Sequence, residues 1–124
     1  MINDNDNDKA VAYLILSTIE DNPVKMFSWG FSVDRVVENG LLFRVHGLKH
    51  KGRVKVICNK DYVLFEIQII GKNNIVKYTI EEVSLDQLVK VLDLHIERVP
   101  NYREVIEKMY GLPPTKDKID TDLK

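Results

Sequence analysis

An alternation of apolar and polar residues through the middle of the chain is the feature that most constrains its fold. Apolar residues recur at every second position in four successive segments, which are separated by short turns rich in Gly, Asn, Asp and Lys. A period of two puts alternate side chains on opposite faces of a β-strand, and short turns join antiparallel neighbours. The pattern therefore predicts an antiparallel meander with one apolar and one polar face. The four segments are Leu41–His46, Arg53–Cys58, Tyr62–Ile70 and Ile75–Val83.

A row of alternating aromatic residues precedes the meander and predicts one more strand. The pattern starts near Val24 and leads to Asn39-Gly40, a pair that favours a two-residue hairpin turn. With this segment the sheet has four or five strands. The apolar residues of the row are Phe27, Trp29, Phe31 and Val33.

The face on which this row lies depends on the register of the first hairpin. A turn at Asn39-Gly40 and an unbroken strand would place Trp29 on the polar face, beside Arg44 and His46. A bulge near Asp34-Arg35 would return the row to the apolar face. The bulge is favoured because a strand of this length must bend.

Helical patterns flank the meander on both sides. Residues 8–20 are apolar nearly all round, which predicts a buried helix that crosses the sheet. A helix is expected over Leu85–Val99, after a capping-box pattern at Ser84 and Gln87, and a short last helix ends at Gly111. The predicted fold class is α+β: an N-terminal helix, a four- to five-stranded antiparallel meander, and two C-terminal helices packed on one face of the sheet.

The chain of 124 residues is expected to hold one domain. Both ends are polar, so we expect disordered tails over residues 1–7 and 113–124 and a single domain over 8–112. A lone cysteine, Cys58, cannot form an intramolecular disulfide, and the acidic N-terminus does not resemble a signal peptide. We therefore expect a cytoplasmic protein that is not inserted in a membrane.

The formal net charge of −1 conceals two unlike regions. Residues 39–60, here termed the basic hairpin, hold six basic and no acidic side chains. The rest of the chain holds 12 basic and 19 acidic side chains, so its formal charge is −7. We expect the positive charge to collect at one end and on one face of the sheet, where it can meet an acidic partner surface or follow phosphates.

This charge distribution favours a small non-enzymatic binding protein that acts on a protein partner through the basic hairpin and the polar sheet face. The same polar face carries an apolar set that could bind a partner or a second copy: Ile57, Tyr62, Leu64 and Ile75. The candidate binding residues are Arg44, His46, Lys49, Lys51, Arg53, Lys55 and Trp29.

Two alternatives remain open at this stage. Nucleic acid could bind the basic hairpin, with Trp29 or Phe31 stacking on bases if the aromatic row is exposed. A small molecule could instead occupy a pocket between the first helix and the sheet, lined by Trp29, Phe31 and Tyr78.

Catalytic and metal-binding patterns are weak. His46, His50 and Cys58 lie on a strand end, in a loop and on a core-facing strand position, which does not suit a zinc site. Asp93 and Glu97 are spaced by one helical turn and are interpreted as solubilising residues on the polar side of their helix. We therefore expect no enzymatic activity, no cofactor and no metal.

Overall fold

The computed structural model describes residues 4–60, 64–99 and 102–111. Five antiparallel strands form one sheet in the order β1-β2-β3-β4-β5, which confirms the predicted α+β fold class. The strands are β1 Ser32–Val37, β2 Gly40–His46, β3 Lys51–Lys60, β4 Leu64–Ile70 and β5 Val76–Ser84. The helices are α1 Asp4–Glu20, α2 Pro23–Ser28, α3 Leu88–Ile96 and α4 Tyr102–Met109, with single 3₁₀ turns at Lys72–Asn74 and Leu85–Gln87. No helix among these residues is long and apolar enough to cross a membrane.

The first helix begins earlier than expected. It starts at Asp4 rather than at Asp8, so residues 4–7 are helical. Instead of capping a helix, the Asp8 carboxylate accepts the backbone N–H of Asn39 at 2.8 Å and ties α1 to the β1–β2 turn. The expected tail over 113–124 lies outside the described residues.

The core lies between the helices and one face of the sheet, here termed the inner face. Helix α1 contacts β2 and β1, and its buried side chains Val11, Ile15 and Ile19 pack in one cluster with inward-facing strand residues. Helix α3 adds further apolar side chains to the same cluster. The opposite, outer face carries the polar set predicted from the alternation. The central buried residues are Phe43, Val54, Val56, Phe65, Ile67, Ile69, Leu88, Leu92 and Ile96.

The predicted strand over the aromatic row is wrong for its first half, which is helical. Pro23 occupies the first turn of α2, where its missing N–H costs nothing. The N–H of Trp29 bonds to the carbonyl of Lys25 at 3.1 Å, and Gly30 then reverses the chain with φ +62°. On a helix, residues two apart do not share a face. Phe27 is consequently 78% exposed, whereas Trp29 is fully buried.

The predicted bulge in the first hairpin is present. Val33 pairs with Phe43 and Arg35 with Leu42, so Asp34 is the extra residue of β1. The turn itself lies one residue earlier than expected. Because Val37 pairs with Gly40, its two loop residues are Glu38 and Asn39, and Asn39 adopts a positive φ of 55°.

The predicted capping box before α3 is not formed. The Ser84 hydroxyl donates to the Asp86 carboxylate at 2.6 Å and makes no capping hydrogen bond to the helix backbone. A 3₁₀ turn therefore comes first, and α3 runs only from Leu88 to Ile96.

The two carboxylates interpreted as solubilising are in fact buried. Asp93 accepts the indole N–H of Trp29 at 2.8 Å. Glu97 accepts the backbone N–H of Leu48 at 3.0 Å and the hydroxyl of Tyr102 at 2.9 Å. These contacts join α3 to α2, to the β2–β3 connection and to α4, so the polar side of α3 is an internal junction rather than a solvated surface.

The partial burial of His95, where α3 meets β5, predicts that the stability depends on pH. The Tyr78 hydroxyl lies 3.0 Å from His95 Nδ1. Burial, and then the charge of Lys49, lower the pKa of His95 below its ordinary value of 6.5. In weakly acidic solution the unfolded chain therefore binds more protons than the folded protein. The stabilisation is full above about pH 6.5 and is lost as the pH falls through the lowered pKa of the folded state.

We expect His95→Gln to reduce this loss of stability in weak acid. The measurement is the urea midpoint of the wild type and the variant at a series of pH values between about 5 and 8. Equal losses in the two proteins would show that His95 does not control the acid dependence.

Candidate anion-binding site

A polar cleft of about 480 Å³ opens at one end of the outer face. The sheet register builds it, because Arg44 pairs with Arg53 and His46 pairs with Lys51 across β2 and β3. The α2–β1 connection and the β4–β5 turn close its two sides. The lining of this basic cleft is Gly30, Ser32, Arg44, Val45, His46, Lys51, Gly52, Arg53, Gly71, Lys72 and Asn73.

A single carboxylate faces the two arginines. Asp34 Oδ2 lies 3.6 Å from Arg44 Nε and 3.6 Å from Arg53 Nη1, and it is buried without a hydrogen-bond partner. The bulge in β1 places this side chain on the outer face. Because Lys51 and Lys72 add two more cations, the cleft keeps an excess of positive charge.

Two glycines allow the backbone to shape the cleft. Gly30 has φ +62°, and a Cβ there would lie 3.1 Å from the Cβ of His46. Gly52 has φ +154°, and a Cβ there would lie 2.8 Å from the carbonyl oxygen of Ile70. A side chain at either position would be strained and would crowd its neighbour.

Four of the predicted binding residues meet in the basic cleft, and two of the predicted lysines lie elsewhere. The four are Arg44, His46, Lys51 and Arg53. Lys55 lines a smaller neighbouring groove with Arg35 and Leu42. Lys49 points towards α3, where its ammonium donates to the carbonyl of Leu94 at 2.8 Å.

Trp29 does not belong to this surface, so its place among the candidate binding residues is corrected. Its carbonyl accepts the N–H of His46 at 2.6 Å, which brings its backbone to the edge of the cleft. Its ring points inward, is fully buried and bonds to Asp93. A ring with no exposed surface cannot stack on a base, nor can it line an open pocket.

The other two residues predicted to line a small-molecule pocket, Phe31 and Tyr78, contact neighbouring side chains instead. Phe31 packs against Phe43 with ring centroids 4.8 Å apart. Tyr78 is held at His95. A separate cavity of about 420 Å³ lies between α2 and α3, and one of its two acids, Asp93, already faces Lys25 and Arg98 at 3.8 and 3.7 Å.

His50 and Cys58 contact the backbone and the core of the fold rather than the basic cleft. His50 is buried, and its Nε2 lies 3.0 Å from the carbonyl oxygen of Arg53. Cys58 packs partly against the core, and its N–H donates to the carbonyl of Asn39. Within residues 4–60, 64–99 and 102–111, no three His, Cys, Asp or Glu side chains are grouped to hold a metal ion.

The predicted apolar patch on the outer face does not form one surface. Leu64 begins β4, whereas Ile75 follows the turn at the other end of that strand. Six residues of extended chain separate the two ends by about 20 Å. Ile57 lies towards the Leu64 end, since it pairs with Glu66, and Tyr62 lies outside the described residues.

Sequence reasoning missed two residues at this site, Asp34 and Lys72. Lys72 lies in the β4–β5 turn, 19 residues beyond Arg53 in sequence. The signal that could have found it is the antiparallel register, since Arg53 pairs with Ile70 at the start of that turn. A bulge was predicted near Asp34, but the face to which a bulged side chain points depends on the local backbone geometry.

The chemistry of the basic cleft suits an oxyanion. A guanidinium presents a planar fork of donors that matches carboxylate and phosphate, and lysines add point charges. The ion pairs of Asp34 are longer than charge-assisted hydrogen bonds, which measure about 2.7–2.9 Å, so the arginine donors are not saturated by it. Comparisons of this chain with protein-family models, with curated protein sequences and with solved structures each found no match.

Proposed function

We propose that this protein is a non-enzymatic binding protein that holds an acidic segment of a partner protein in the basic cleft. The observation that carries the proposal is a cluster of four cations. Arg44 and Arg53 are opposite each other on β2 and β3, and both face the Asp34 carboxylate. Lys51 and Lys72 lie beside them in the cleft. Carboxylates of the partner would accept from the guanidinium donors that Asp34 does not use.

The outer face supports a short acidic segment better than a long nucleic acid. The exposed aromatic side chains Tyr13, Phe27 and Tyr110 lie on or beside helices, away from this face. A fourth, Tyr78 on β5, is partly exposed and lies against His95 of α3, on the side of the sheet that carries the helices. Among the described residues the outer face therefore offers no aromatic platform for bases, which single-stranded nucleic acid commonly uses. Glu66 and Glu81, on β4 and β5, would also repel a polyanion that extended across the sheet.

Two lysines of the basic hairpin provide a matched test. Lys51 lines the cleft and Lys49 does not, yet both are exposed and both donate to a backbone carbonyl, at 3.2 and 2.8 Å. We expect Lys51→Glu to raise the dissociation constant for a fluorescent Asp/Glu-rich peptide roughly tenfold, and Lys49→Glu to change it less than about twofold. Fluorescence anisotropy of the full chain measures both, and urea denaturation checks that each variant is folded.

Three outcomes would contradict the proposal. Absence of peptide binding by the wild type would overturn it. Equal losses in Lys49→Glu and Lys51→Glu would indicate attraction to the whole basic hairpin rather than to the cleft. Tighter binding of a single-stranded oligonucleotide of the same charge, with a steep salt dependence, would favour the nucleic-acid alternative.

A further inference from the structure

The outer edge of β5 is a second surface that can bind another chain. Strand β5 ends the sheet and pairs only with β4 among the described residues. An unpaired strand edge presents N–H and C=O groups that can bind a further strand. Three large apolar residues are exposed on or next to this strand: Ile75, Val76 and Tyr78.

The regular part of this edge is short and is flanked by opposite charges. Tyr78, Thr79 and Ile80 pair in register with β4, and irregularities interrupt the pairing on either side. Lys77 precedes this segment and Glu81 follows it. The two charges therefore stand at equal distances from Thr79.

The acidic end of β5 makes no ion pair with any side chain that the structure describes. Glu81 and Glu82 lie in the irregularity opposite Glu66 on β4, so three acidic residues are neighbours in the sheet. Among the residues whose side chains the structure describes, no Lys or Arg lies within 4.0 Å of these carboxylate oxygens, and no carboxylate lies within 4.0 Å of the Lys77 ammonium. Like charges on neighbouring strands are destabilising unless a cation approaches them.

We propose that the occupant of this edge is a second copy of the chain, paired antiparallel to β5 about a two-fold axis at Thr79. This register sets Lys77 opposite the partner's Glu81, and Glu81 opposite the partner's Lys77. It also sets Tyr78 opposite the partner's Ile80 and the two Thr79 residues opposite each other. Opposite charges, aromatic and β-branched residues, and paired threonines are all favourable cross-strand neighbours.

The pairing would join two sheets into one of ten strands. A two-fold axis normal to the sheet keeps both outer faces on the same side, so the two basic clefts would face the same direction. The dimer does not depend on what binds in the cleft, because β5 contributes no residue to the cleft lining.

Solution mass and charge reversal test the dimer. In sedimentation equilibrium at high micromolar concentration, the full chain should have a molar mass twice the 14.4 kDa of one copy. Each dimer contains the Lys77–Glu81 pair twice, so Lys77→Glu or Glu81→Lys alone should weaken dimerisation at least about tenfold. Lys90→Glu, the same charge change at an exposed position on α3, should leave it unchanged.

A mixture of the two reversed variants tests the register itself. In Lys77→Glu both flanking charges are negative, and in Glu81→Lys both are positive. The mixed pair restores opposite charges at both contacts, so equimolar variants should form a heterodimer although each alone is largely monomeric. A monomeric wild type, reversed variants that dimerise normally, or a mixture without heterodimer would each overturn the proposal.

Discussion

Trp29→Ala should lower the free energy of unfolding by about 3–5 kcal/mol, the usual cost of removing a large aromatic side chain from a core. The side chain is fully buried and is among the largest in the core. Its loss would also leave Asp93 Oδ1 without the indole donor that lies 2.8 Å away. A buried carboxylate without that donor adds to the cost of the cavity. Urea denaturation followed by far-UV circular dichroism measures the change.

Phe27 provides the matched control for this substitution. It is two residues away and belongs to the same aromatic row, but it is 78% exposed. Phe27→Ala should therefore change stability by no more than about 0.5 kcal/mol. Similar losses in the two variants would mean that the row lies on one face as a strand, contrary to the helix at Pro23–Ser28.

Glu97→Ala should lower the free energy of unfolding by about 2–4 kcal/mol, because it leaves two donors without an acceptor. The backbone N–H of Leu48 and the hydroxyl of Tyr102 both bond to this buried carboxylate. Glu97→Gln should cost less, since its amide oxygen can still accept from Leu48. Glu104→Ala, at an exposed position on α4, is the control and should have little effect.

The same junction predicts a loss of stability in alkali. Burial, then the hydrogen bond to Glu97 and its charge, raise the pKa of Tyr102 well above its ordinary value of 10. Above about pH 10 the unfolded chain loses this proton more readily than the folded protein does, so stability falls as the pH rises. Tyr102→Phe should reduce that fall. Urea midpoints compared at neutral and alkaline pH provide the measurement, and an equal fall in both proteins would contradict this role.

Most of the sheet could be predicted from the sequence because its signals are local. Alternation sets which side chains share a face, and short turns force neighbouring strands to be antiparallel. Even the bulge at Asp34 followed from a conflict between the turn and the aromatic row. The predicted turn was wrong by one residue, because Glu38 and Asn39 form the loop rather than Asn39 and Gly40.

The helix α2 could not be read from alternation alone. Over six residues, the spacing of apolar side chains is too short a signal to tell a helix from a strand. Pro23 after Asn22 was the local sign of a helix start. What decided the outcome is the burial of Trp29 against Asp93, a residue 64 positions away in sequence.

The basic cleft was predicted in part for a similar reason. Arg44, His46, Lys51 and Arg53 came together because they lie on two paired strands, and their register follows from the alternation. Lys72 lies beside them because the β4–β5 turn reaches the cleft, and Asp34 lies beside them because of the bulge in β1. Lys49 does not line the cleft, because its ammonium donates to the carbonyl of Leu94 near the end of α3.

Sequence alone predicts the α+β class, the antiparallel order of the strands and the concentration of positive charge in the basic hairpin, because each depends on residues close together in the chain. The folded structure was needed to show which lysines face the cleft and that Trp29, Asp93 and Glu97 are buried. Those outcomes depend on partners tens of residues away, and a buried polar group is tolerated only where such a partner supplies its hydrogen bonds.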